Sequence, residues 1–127
     1  MTGDTYEWGS DAGGLALGLR VRPRAVRAGG AVDIELAVRN GSAGPLAIGP
    51  SIALVVRTGD TVDEHGSGPR SSDDTRVGAG ATIALLSWQL TDEHFGAAPG
   101  PRVVSAVYRP AGGGELRSAE VRFEVVP

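Results

Sequence analysis

The chain reads as an all-β protein, an antiparallel β-sandwich of about seven strands, and three observations predict it. Val32, Ile34, Leu36 and Val38 alternate with Asp33, Glu35, Ala37 and Arg39, the period-2 pattern of a strand with one face in a core and one in water. Turn signals punctuate such stretches at Asn40-Gly41-Ser42, Thr58-Gly59-Asp60 and the Gly run after Pro110. No stretch carries a helical apolar period.

Taken in order, residues 1–13 are rich in Gly, Asp and Thr and read as a loosely held segment, from which Tyr6 and Trp8 are expected to pack over one end of the sandwich. Residues 14–127 form the single domain. Leu15, Leu17, Leu19 and Val21 alternate with Ala16, Gly18, Arg20 and Arg22 to make a first full strand, which Pro23 ends. Pairing it antiparallel with 31–39, Leu19 opposite Leu36 and Val21 opposite Ile34, also sets Arg20 opposite Glu35 and Arg22 opposite Asp33. Such opposite charges contribute about 0.2 to 1 kcal/mol each, and the arginine stripe is neutralised on its own sheet.

A short segment, Pro45 to Ile48, precedes the run Ile52 to Val56, apolar at every position, which suits a strand covered on both faces or one whose outer face meets another surface. Residues 59–80 are the longest polar stretch and read as a loop, interrupted by a short strand at Thr75 to Val77. From Ala81 to Leu90 a long central strand is expected, with Ala84, Leu86, Trp88 and Leu90 on one face, Ile83 and Leu85 adding apolar surface to the other, and Trp88 as a core anchor. A Gly/Pro-rich loop, 91–101, leads to strand 102–109, and Glu115 to Val126 closes the chain with Val121, Phe123 and Val125 inward.

Composition narrows the function. At 127 residues the chain can bury about two-thirds of its unfolded surface. It has no cysteine, so disulfides, thiolate nucleophiles and Cys-containing zinc sites are excluded. The N-terminus lacks a basic start and an apolar signal core, and no apolar run approaches the roughly 18 residues of a membrane span. A cytoplasmic protein without membrane insertion is expected. All 12 basic residues are Arg and the net charge is −3, which argues against a nucleic-acid partner.

Candidate chemistry is sparse. The two histidines lie in near copies of one motif, Asp63-Glu64-His65-Gly66 and Asp92-Glu93-His94-Phe95-Gly96, so Asp63, His65, Asp92 and His94 are the candidate metal ligands. With strands 51–58 and 81–90 as antiparallel neighbours, the histidines would stand on the order of 25 to 30 Å apart at opposite sheet ends, and no metal or cofactor is expected. Ser87 and Ser105 lack a nucleophile-elbow context, and no phosphate-cradling loop opens a helix. The chain is not expected to be an enzyme.

Over residues 31–109 the order of features resembles the intracellular proteinase inhibitor (BsuPI-like) family and small bacterial immunoglobulin-like modules. The shared features are an amphipathic strand ending at Asn40-Gly41-Ser42, a Pro45-led strand, the Gly59-Asp60 turn, a turn before the Trp88 strand, and Pro99-Gly100 before a strand bearing Tyr108. The resemblance implies an immunoglobulin-like β-sandwich. The first functional expectation is a non-enzymatic interaction module that binds a protein partner or forms a homo-oligomer through a sheet face or edge, with Ile52, Leu54, Val55 and Val56 as candidate contacts. The second is a serine proteinase inhibitor presenting Arg70, Arg76 or Arg102 from an extended loop, and the third a metal-dependent binding protein.

Overall fold

The computed structural model describes residues 6–49, 52–66, 75–109 and 114–127. In chain order the elements are β1 (Glu7–Trp8), β2 (Leu15–Arg22), β3 (Ala25–Arg27), β4 (Val32–Asn40), β5 (Leu46–Ile48), β6 (Ile52–Thr58), β7 (Thr61–Gly66), β8 (Thr75–Val77), β9 (Thr82–Leu90), α1 (Asp92–Phe95), β10 (Gly100–Tyr108), β11 (Leu116–Arg117) and β12 (Val121–Val126). Seven strands, β2, β4, β6, β7, β9, β10 and β12, are six residues or longer. They make an all-β sandwich. One sheet runs β1-β2-β4-β9, the other β3-β12-β10-β6-β7 with β11 beside β10, and β5 and β8 form a small ribbon.

The hairpin β2–β4 forms in the register its alternation predicts, with Leu19 opposite Leu36, Val21 opposite Ile34, Arg20 opposite Glu35 and Arg22 opposite Asp33. Its inward residues, Leu17, Leu19, Ile34, Leu36 and Val38, join Leu54, Val56, Val104, Ala106, Val121 and Phe123 in one buried cluster. Pro23, whose peptide bond with Arg22 is cis, separates β2 in one sheet from β3, which pairs in parallel with β12 in the other.

Five expectations are corrected. Residues 61–66 are not loop but β7, which folds back on β6 through a turn at Gly59, where φ is +58°, a conformation natural to glycine. β9 carries a bulge: Leu36 faces Leu86 while Ala37 faces Ala84, so one extra residue, Leu85, enters and the parity of the strand changes there. Ile83 therefore faces Val38 on the core side, and Ala84 is turned out and exposed. Trp88 is only half-buried, packed against the rim of the core rather than anchoring it. The final strand is broken into β11 and β12, because Ser118 turns its hydroxyl back to accept the Ala106 N–H at 2.9 Å. A single helical turn, α1, also interrupts the otherwise all-strand order and drives Phe95 into the core, edge-on to Phe123 at 5.3 Å.

Candidate functional site

The Ile52 to Val56 run does not supply a free surface. Ile52, Leu54 and Val56 are core side chains, Ala53 is buried, and only Val55 is half-exposed. Beside them runs a charged lattice. Arg109 donates two parallel bonds to Glu64, at 3.0 and 2.7 Å, and a third to Glu115, which also pairs with Arg117. Glu64 lies on β7 and Arg117 on β11, while Arg109 follows β10 and Glu115 precedes β11, so the charges link separate strands of the β6 sheet. The bond from Arg109 holds the Glu64 carboxyl below its ordinary 4.5, and bonds from Arg109 and then Arg117 do the same for Glu115.

The outer face of the β2–β4 sheet is also closed by its own residues. Tyr6 and Trp8 lie on this face, not over the end of the sandwich. Trp8 is the register partner of Gly18, and a Cβ at Gly18 would come within 2.8 Å of the indole, so only glycine admits the ring. The Arg39 guanidinium stands over that indole at 4.3 Å, and Arg20 over the Tyr6 ring at 4.8 Å. Arg20 pairs with Glu35, which also accepts the Tyr6 hydroxyl at 3.1 Å.

Of the three arginines considered for a protease pocket, Arg70 lies outside the described residues. Arg76 is exposed on β8, paired with β5. Arg102 is 2% exposed, and its guanidinium donates to the carbonyls of Phe95, Gly96, Ala98, Gly100 and Pro101. A side chain spent on five carbonyls of its own loop cannot enter a partner's pocket. Its role is structural: five N–H donors in a fixed fork fasten the α1–β10 connection.

The histidines overturn the distance expected for them. Their ring centroids are 5.2 Å apart, edge to face. β6 and β9 are not neighbours but lie in different sheets, β7 carries His65 back to a place opposite Leu54, and α1 crosses from the end of β9 to pack on β6. Their chemistry does not make a metal centre. The Thr91 N–H donates to Nδ1 of His94 at 3.0 Å, which requires the lone pair there and leaves the proton of the neutral ring on Nε2. That nitrogen then has no lone pair to offer a metal. The His65 Nε2 is buried without a hydrogen-bond partner among the described residues. Among the described residues no group of three or more His, Asp or Glu side chains gathers around a point, so Asp63 and Asp92 do not complete a site.

What stays open is an edge. The two main sheets end in β1, β9, β3 and β7. β1 and β3 have two and three residues, and β7 carries Asp63 and Glu64, so shortness or charge protects each of them. β9 is nine residues long, reads TIALLSWQL without charge or proline, and has no pairing strand on its free side among the described residues. Ile83, Leu85, Leu86 and Trp88 are half-buried along it. The strand expected to be central is thus an edge strand: apolar residues on both of its faces suggest neighbours on both sides, and only the sheet order shows that β4 is its sole pairing strand among the described residues.

No family model matches the chain, and no curated protein matches it in sequence. Solved structures do match in shape. A β-glucosidase from Erythrobacter marinus aligns at 15% identity and a TM-score of 0.57, over 96% of this chain and 15% of that one. The alkylpurine DNA glycosylase AlkC of Pseudomonas fluorescens, bound to DNA containing an abasic-site analogue, aligns at 14% identity and a TM-score of 0.60, over 90% of this chain and 31% of that one. The sporulation control protein Spo0M of Bacillus subtilis gives 14% and 0.60, over 91% of this chain and 51% of that one. The chain thus spans about half or less of these proteins, and the likeness is one of fold.

Proposed function

We propose that the chain is a non-enzymatic, immunoglobulin-like interaction module that binds protein through the free edge of β9. The observation that carries this reading is the contrast among edges: three are short or charged, and the fourth is long, uncharged and flanked by half-exposed apolar side chains. Ile52, Leu54 and Val56 are core side chains, and Tyr6 and Trp8 cover part of the outer face of the other sheet, which moves the expected contact from Ile52, Leu54, Val55 and Val56 to residues 82–90.

The recurrence of the fold as a fraction of longer, chemically unrelated proteins fits a module whose work is contact. Edge binding has a simple chemistry. An incoming extended segment satisfies the row of backbone N–H and C=O groups and covers the apolar rim with alternate side chains. The test is affinity capture from the source cells with the wild-type chain and an Ala84→Lys/Ser87→Lys variant as baits. Both positions are exposed on β9, and Ser87 stands opposite Glu35, so the fold accommodates the change. A protein retained by the wild type and lost by the variant supports the reading. Identical captures overturn it.

A further inference from the structure

We infer that the occupant of the β9 edge is the β9 edge of a second copy, so that two sandwiches join antiparallel into one continuous sheet of twice four strands. The inference rests on the edge-binding reading above and names its partner. The edge asks for an extended, uncharged strand with apolar residues toward the core side, and β9 is itself such a strand, with Ile83, Leu86, Trp88 and Leu90 opposite the core residues Val38, Leu36, Ile34 and Val32. An antiparallel pair of identical strands is related by a two-fold axis, so each copy offers and receives the same groups and the assembly closes.

Electrostatics permits the approach. β9 brings no charge to the axis, and the nearest acids on the adjacent strand, Asp33 and Glu35, are engaged by Gln89 at 3.3 Å and by Arg20. A partner strand with a charge on its inward side would bury that charge against Leu86 and Trp88 and be rejected. The half-buried Ile83, Leu85, Leu86 and Trp88 would become covered, extending the core across the axis. The bulge at Leu85 limits pairing to short stretches on either side of it. A single-edge contact of this length belongs with small, transient interfaces, so the dimer forms and dissociates with concentration.

The test is sedimentation velocity of the full chain across about 5 to 500 µM, the range in which an interface of this class titrates. Hydrogen exchange at the ends of that range reads the same equilibrium residue by residue. The expected result is a reversible monomer–dimer equilibrium, with alternate amides of 82–90 slowing at least several-fold at high concentration while those of β7 do not change. In Ser87→Lys, lysines of two copies meet across the axis, and the equilibrium moves to monomer with circular dichroism and melting unchanged. If that variant fails to fold, Ala84→Lys and the wild-type exchange pattern carry the test. A monomer at every concentration overturns the inference and leaves edge binding to a different protein standing. A dimer whose β9 amides do not slow, or that survives both lysines, places the contact elsewhere and overturns the inference as well, whereas edge binding itself is judged by the capture experiment.

Discussion

The hairpin β2–β4 and the connection from α1 to β10 are held by opposite means. In the hairpin, side chains are matched by residues directly across the pair, Arg20 to Glu35 and Arg22 to Asp33, each a local consequence of alternation. In the connection, a buried Arg102 has no carboxylate partner among the described residues, and five backbone carbonyls take the place of water around its guanidinium. The difference teaches where single residues matter. Matched surface pairs are redundant, whereas one buried charge that organises a loop is not.

The largest effect should come from breaking the second region. Arg102→Ala strips five carbonyls of their donor and should lower stability by about 4 kcal/mol in urea unfolding, with Arg102→Lys restoring less than half because an ammonium lacks the fork. Asn40 is the hairpin's counterpart to Arg102. It is fully buried, donates to Gly44 and Val77 carbonyls at 2.9 Å each, and accepts from the Ser42 N–H and hydroxyl. Asn40→Ala should cost about 3 kcal/mol, read from the same denaturation curves. A cost below about 1 kcal/mol for either would show that water replaces the lost partners and would dissolve the contrast.

Gly18→Val should cost about 2 kcal/mol through overpacking against Trp8, and the red-shifted emission of a displaced indole would report it. Glu35→Gln should cost less than about 1 kcal/mol, since its ion pair is partly exposed; a larger loss would mean that the hairpin depends on charge rather than on its apolar face. The smallest effect is on pH. Because Arg109 lowers the Glu64 and Glu115 carboxyls in the folded state, the contribution of that lattice is present above their unfolded value of 4.5 and fades as pH falls through the lowered ones. Carboxyl chemical-shift titration of Arg109→Ala should show Glu64 rise toward its ordinary value, while Glu115, still bonded by Arg117, rises only part of the way.

Much of the fold was legible in the chain. Alternation set the inward residues of β2, β4 and β12, and opposite charges selected the β2–β4 register to the residue. The turn at Asn40 was legible too, but not its grip on β8, because Val77 is 37 positions away. The β7 strand reads as loop because four of its six residues, Thr61, Asp63, Glu64 and His65, are polar, and pairing with β6 overrides so weak a local preference. The β9 bulge was invisible for a related reason: with apolar residues at 83, 85, 86, 88 and 90, the sequence supports either parity, and only the side chains of β4 choose.

What the sequence determined by itself was therefore everything that depends on period and nearest turn: an all-β sandwich, its matched hairpin and most of its inward faces. The tertiary structure alone decided which edges stay open and which distant segments meet. It put β6 and β9 in different sheets, brought the His65 ring to 5.2 Å from that of His94, and left β9 without a second neighbour among the described residues. A strand's faces are written in its own alternation, but its neighbours are chosen by long-range closure, which competes among all strands at once.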